Sequence, residues 1–244
     1  MVLIAALLAA LFFLPRIALA LLVAVLLLFA ALEWARLCRL ASGSAWLFAT
    51  TLSLVFLALD YAGLQKEMFA LAALFWIAVA PLWMWRGVRP GETTWIGAAG
   101  FAVLVPAGLA MLALKPLEVL LVLVLVWIAD SAAYFVGRAW GRRKLAPSIS
   151  PGKSWEGAVG GVIAAAAYAI ICGYWMNQVM SFLAAAIVLA LVSIVGDLFE
   201  SAAKRQAGVK DSGTLLPGHG GILDRIDSAT AVLPLAALLW PVIR

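Results

Sequence analysis

Seven of the twelve carboxylates in this 244-residue chain lie in its last half: Asp130, Glu156, Asp197, Glu200, Asp211, Asp224 and Asp227. Most of them crowd around one polar stretch, Ser201 to Asp227, SAAKRQAGVKDSGTLLPGHGGILDRID, in a chain that is otherwise mostly hydrocarbon. Asp197, Glu200, Ser201 and Lys204 are spaced so that a helix would present them on one face. Asp130 and Tyr134 share a face in the same way, and Asp224 and Asp227 fall where the last apolar run begins, near a helix amino terminus that tolerates negative charge. Three helix ends are thus expected to aim acids at one place.

The chemistry open to such a set follows from its donors. His219 is the one histidine and Cys38 and Cys172 lie in or beside apolar runs, which argues against zinc or copper and against a disulfide framework. Oxygen ligands suit magnesium, which is commonly held by one or two carboxylates together with substrate phosphates and water. The alternative is an ion-pair network with Lys204, Arg205 and Arg225.

Two loops have the composition of phosphate sites. Pro217, Gly218, His219, Gly220 and Gly221 allow backbone N–H groups to approach an anion ahead of a helix start. His219 there is either a base or a donor to phosphate, and the bland alternative is a simple turn. Ser150 to Glu156, SPGKSWE, contains a GKS triplet, but Pro147 stands where a Walker loop requires glycine and no strand is expected before it. Lys153 remains a point charge for a second phosphate.

The elements that must position these groups are set by composition. Hydrophobic residues make up 66% of the chain, charged residues 12%, and the mean hydropathy is +1.11. This predicts an all-α integral membrane protein. Hydropathy gives nine candidate spans, near 1–14, 17–35, 44–62, 68–85, 95–114, 117–136, 157–175, 179–198 and 227–243. They make a polytopic bundle in which 1–115 form a scaffold and 116–244 a catalytic region with loops 137–156 and 199–226. The first run is short for a span, and a secretory signal peptide is its competing reading, although no basic segment precedes Leu3.

Thirteen of the 17 basic residues fall in the loops that follow even-numbered spans. The positive-inside rule then places the amino terminus and those loops in the cytoplasm and the carboxyl terminus outside. Removing the two loops whose cations could serve a substrate leaves four against four, so the orientation depends on them. The net charge of +5 is accounted for by these loops, with no soluble basic surface for nucleic acid. Glu33, Asp60, Glu67, Glu92 and Glu118 lie near span ends and are read as solvated interfacial residues.

The motif S-x-x-K-R-x-x-x-x-K-D-x-G-x-x-x-P-G-H-G-G-x-x-D-R-x-D runs without a gap from Ser201 to Asp227 and resembles that of the phosphatidate cytidylyltransferases, the CDP-diacylglycerol synthase family. DSAAYFVGR at Asp130–Arg138, SPGKSWEG at Ser150–Gly157 and GDLFES at Gly196–Ser201 extend the likeness over the carboxyl-terminal half. The amino-terminal half resembles the family only in hydropathy and in its Glu33-Trp34 pair. The chain departs from the family at Gly152, where a second lysine is common, and in lacking a basic stretch before the first span. The latter leaves open a start site further upstream, which would lengthen the short first helix.

The resemblance implies transfer of the cytidylyl group of CTP to phosphatidate at the inner, cytoplasmic membrane, with magnesium, a second cation such as potassium, and a homodimer. A phosphomonoester has its second pKa near 6, so the lipid nucleophile arrives largely ionised and needs no strong base. The acids are therefore expected to act as metal ligands, with Asp197 and Asp224 foremost and Asp211 and Asp227 as further ligands or supports. Lys204 and Arg205, with Asp224 and Asp227, are the expected catalytic groups. Lys204, Arg205 and Lys210 would hold the triphosphate, and Lys153 and Arg138 the lipid phosphate. Asp130, Ser201, His219, Gly220, Gly221 and Arg225 complete the expected substrate contacts. The alternatives are a CTP-dependent enzyme acting on another lipid phosphate or a polyprenol, and a cation-coupled transporter with acids deep in broken helices.

Overall fold

The computed structural model describes residues 2–213 and 221–243. Apolar runs become helices bounded where the backbone demands it. Pro15 precedes α2 (Arg16–Leu37), α3 (Ser42–Ala62) stops at Gly63 in the left-handed region, and Pro116 opens α6 (Pro116–Trp140) in the first turn, where its missing N–H costs nothing. The remaining helices are α1 (Val2–Phe13), α4 (Gln65–Trp85), α5 (Thr93–Ala113), α7 (Trp155–Met176), α8 (Val179–Gln206) and α9 (Leu223–Ile243). α4 contains a π turn at Phe75–Val79.

All nine expected segments are helical among the described residues, but eight of them, not nine, are long and apolar enough to cross a membrane. The exception is α1, whose 12 residues rise only about 18 Å against a hydrocarbon core of about 30 Å. A second difference lies at the end of α8. α8 runs to Gln206 rather than stopping near 198, because backbone hydrogen bonding continues past the first charge, and it carries Glu200, Ser201, Lys204 and Arg205 on a rigid helix.

Close helix crossings set the distances in the carboxyl-terminal half. Along α7, Gly157, Gly161, Ala165, Ala169 and Gly173 are buried at intervals of four. A Cβ on Gly161 would stand 2.8 Å from the Ala129 carbonyl oxygen and one on Gly157 2.7 Å from that of Ala133, so α6 and α7 meet backbone to backbone. Gly196 does the same for α8 and α9, where an added Cβ would lie 2.8 Å from Ala231 Cβ.

In a chain expected to be all-α, the loop between α6 and α7 is a small antiparallel hairpin of β1 (Lys144–Ala146) and β2 (Ser150–Ser154), with Lys144 opposite Ser154 and Ala146 opposite Ser150. Ser154 then caps α7, its Oγ accepting from Gly157 N at 3.2 Å. On the far side of α8, Phe199 is ringed by Trp34, Phe75, Trp76 and Trp83 at centroid distances of 5.2 to 6.4 Å, which locks α8 to α2 and α4.

Candidate active site

The helix ends bring the motif residues together as two adjoining walls. In the first wall, Lys204 Nζ lies 2.7 Å from Asp224 Oδ1 and 3.3 Å from Glu200 Oε1, one turn earlier on its own helix. All three side chains are at least four-fifths buried, with exposures of 15%, 18% and 5%. Asp224 Oδ2 accepts from Ser212 Oγ at 3.0 Å, Ser212 N at 3.3 Å and Gly221 N at 3.1 Å, so every oxygen of this acid is committed.

The second wall is a cavity of about 610 Å³ enclosed by α6, the hairpin, α7 and α8 and lined by Asp130, Tyr134, Arg138, Ser150, Lys153 and Asp197. Lys153 from β2 forms an ion pair with Asp197 across it. Ser193 Oγ donates to Asp130 Oδ1 at 3.4 Å, and Arg138 donates to Tyr134 at 3.1 Å on the next turn of α6. Asp227 stands between the walls, within Coulombic reach of Asp130 and Lys153 on one side and Glu200 on the other.

The acids therefore converge only in part: Asp130, Asp197 and Asp227, from α6, α8 and α9, stand within Coulombic reach of one another, while Asp224 and Glu200 gather around Lys204. Asp224 faces Lys204 and Asp197 faces Lys153, because α9 and the hairpin approach α8 at different turns. Lys210 and Asp211 are exposed and form no ion pair among the described residues. Arg205 directs its Nε to the Ile149 carbonyl at 3.2 Å, tying the hairpin to α8. Ser201 is half-buried on α8, and Arg225 is exposed on α9. His219 and Gly220, with the rest of the glycine-rich turn up to Gly221, lie outside the described residues.

The Cytidylyltransferase family profile matches residues 1–243. The chain belongs to this family. It is similar to the phosphatidate cytidylyltransferase of Pseudomonas aeruginosa, with 42% identity over 225 residues that cover 85% of this chain and 82% of that protein. The protein of the same name from Brucella suis is 40% identical over 209 residues, covering 81% and 71%. That from Haemophilus influenzae is 52% identical over 122 residues, covering 47% and 42%.

In this cytidylyltransferase family member the donor set is one of carboxylate oxygens, which fits a hard cation. Among the described residues no group of three or more acid, histidine or cysteine side chains is arranged to hold a metal ion by itself. Magnesium needs no such cage when substrate phosphates supply the remaining oxygens. Glu200 adds to the fit: among the described residues both of its oxygens are buried without a hydrogen-bond donor, and Lys204 Nζ stands 3.3 Å from Oε1.

Two span-end acids read as solvated are buried instead. Glu118 is 6% exposed and accepts from Lys115 N at 2.8 Å, capping α6. Glu33 has no exposure and reaches the first wall: its Oε2 accepts from Leu223 N at 3.0 Å and lies 3.3 Å from Ser212 Oγ. Hydropathy could not separate Glu33 from its neighbours, since a carboxylate at a span end looks the same whether it meets water or another helix. By contrast, Asp60 pairs with Arg16 at 2.8 Å and Glu92 with Arg86 at 2.9 Å, as interfacial acids do.

Proposed function

We propose that the chain transfers the cytidylyl group of CTP to phosphatidate, giving CDP-diacylglycerol and pyrophosphate for phospholipid synthesis. Its similarity over 81–85% of its length to two proteins of that activity carries the reading. In the reaction a phosphate oxygen of phosphatidate bonds to the α-phosphorus of CTP, and the bond from that phosphorus to the β-phosphate oxygen breaks. The nucleophile is already ionised near neutral pH. The protein's task is to bring two polyanions together and stabilise the departing pyrophosphate.

The two walls divide that task. Lys153 and Arg138 hold the lipid phosphate in the cavity, which lies between spans and so admits a lipid from the bilayer. Lys204, aided by Arg205 and Lys210, holds the triphosphate. Asp224 and Asp197 would hold magnesium, supported by Asp227 and Asp211, and a second cation such as potassium would join it. When bound, the cation screens the phosphates from one another and draws charge from the leaving group. The site faces the cytoplasm, where CTP is dissolved, in the inner membrane of the cell, with a homodimer as the assembled form.

The test is to incubate purified protein in detergent with CTP labelled at the α-phosphate, phosphatidate and magnesium, and to identify the lipid product. A labelled CDP-lipid with release of pyrophosphate is expected. A phosphorylated alcohol with release of CDP, or cation flux in vesicles without CTP, would overturn it.

A further inference from the structure

The amino terminus of α9 has no cap from the residue before it. Ile222 carries no side-chain acceptor, yet the first N–H groups of a helix need one. Asp224 reaches back to Gly221 N at 3.1 Å, and Glu33 of α2, 190 positions away in sequence, accepts from Leu223 N at 3.0 Å. A carboxylate in that position also complements the positive end of the helix dipole.

Ser212 links the two acids. Its Oγ is 3.3 Å from Glu33 Oε2 and 3.0 Å from Asp224 Oδ2, and its N–H also donates to Asp224. A hydroxyl has one proton, so only one of the carboxylates receives it at a time. The position of Ser212 is thus set by both, and Asp224 is held from one side by Lys204 and from the other by a group that Glu33 anchors.

The room taken by Glu33 also explains a glycine of the motif segment. A Cβ on Gly213 would stand 2.5 Å from Glu33 Oε1 and meet no other side chain so closely, whereas one on Gly221 would meet Ser212 Oγ before Glu33 Oε2, which is 2.6 Å away. Oε1 is buried and has no hydrogen-bond donor among the described residues. A side chain at residue 213 would have to displace a fully buried carboxylate.

We propose that Glu33 is a positioning residue for Asp224: it caps α9 from a distant helix, holds Ser212 against Asp224, and occupies the space that keeps residue 213 as glycine. The proposal rests on the cytidylyl-transfer reading for its kinetic consequence, while its geometric content stands apart from that reading.

Both parts are tested on the full chain in detergent. Glu33→Gln keeps an acceptor for Leu223 N and puts an amide where Oε1 has no donor, so kcat should stay within about threefold of wild type. Glu33→Leu has similar bulk and no acceptor, so kcat should fall about tenfold or more while KM for phosphatidate holds within about twofold. Equal kcat for the two variants, whether both high or both low, overturns the positioning role.

A second measurement needs no turnover and stays informative if Glu33→Leu folds poorly. Gly213→Ala, whose methyl would meet only Glu33 so closely, is placed in wild type and in Glu33→Ala, and melting temperatures are compared. The methyl should lower the melting temperature by about 4 °C or more in wild type, and by less than half as much once the carboxylate is gone. Additive losses overturn the proposed contact. Absence of CDP-lipid from wild type would sink the proposed function and leave this comparison to decide the contact.

Discussion

Lys204 Nζ, in the last turn of α8, stands 2.7 Å from Asp224 Oδ1 in the first turn of α9, and both side chains are more than four-fifths buried. Each end of this pair has further partners, Glu200 for the lysine and Ser212 and Gly221 for the acid, so neither charge can move without exposing another. Lys204→Ala leaves Asp224 and Glu200 buried without a cation, which costs about 2–3 kcal/mol of stability by analogy with broken buried pairs. Asp224→Asn is different. It keeps the shape and one acceptor, but with that oxygen on Gly221 N its amide NH2 faces the Lys204 ammonium, so its melting temperature should fall, though less than that of Lys204→Ala because Glu200 still pairs with the lysine. Release of pyrophosphate should fall about 100-fold or more, as for loss of an electrostatic catalytic group. Assay and melting of the purified variants check both, and a fully active Asp224→Asn would remove Asp224 from the metal-binding role.

Lys153 is held by Asp197 in the cavity of the second wall, away from the Lys204 wall. If the cavity takes the phosphatidate headgroup, Lys153→Ala should raise KM for phosphatidate about tenfold, the worth of one charge-assisted hydrogen bond. KM for CTP should change much less. Surface-dilution kinetics in mixed micelles separates the two constants, and equal increases would assign Lys153 to both substrates.

How far the sequence reaches toward this site depends on the residue. Hydropathy is a backbone-independent signal, and it placed all nine helices of the described chain, because uniform apolarity leaves few other structures in a bilayer. The pairing of Lys204 with Asp224 was within reach as an alternative, since both types and the turn between them are visible in the motif. The split of the acids into two walls was not, because it depends on where α9 and the hairpin meet α8, and the α8–α9 approach is set by Gly196, which carries no polar signal. Glu33 was misassigned for a related reason: its partners, Ser212 and Leu223, lie about 180 and 190 residues later in the chain.

Gly161 and Gly43 are both helical glycines, yet they differ in what surrounds them. An added Cβ at Gly161 meets the Ala129 carbonyl oxygen at 2.8 Å, whereas one at Gly43 meets nothing within 4 Å. Gly161→Val should force α6 and α7 apart and destabilise the protein by about 1–3 kcal/mol, as overpacking does in other close contacts. Gly43→Ala should be neutral or stabilising by up to about 1 kcal/mol through its helix propensity. Melting in detergent distinguishes them, and equal shifts would show that the α6–α7 approach does not matter to stability.

A magnesium requirement is the expectation that the donors support. The two walls offer carboxylate oxygens, and neither cysteine lines the cavity of the second wall nor bonds to the acids of the first. Activity should therefore be lost in excess chelator and return with magnesium, with manganese as the nearest substitute. Zinc should restore little, because two ion-paired carboxylates give it none of the nitrogen or sulfur ligands it favours. Because Asp224 and Asp197 each carry a lysine in the described structure, a bound cation would have to compete with Lys204 and Lys153. Lys153→Met should then lower the magnesium concentration needed for half-maximal binding, read by isothermal titration with a non-hydrolysable CTP analogue present. A higher requirement in that variant would show instead that Lys153 helps to assemble the cation site.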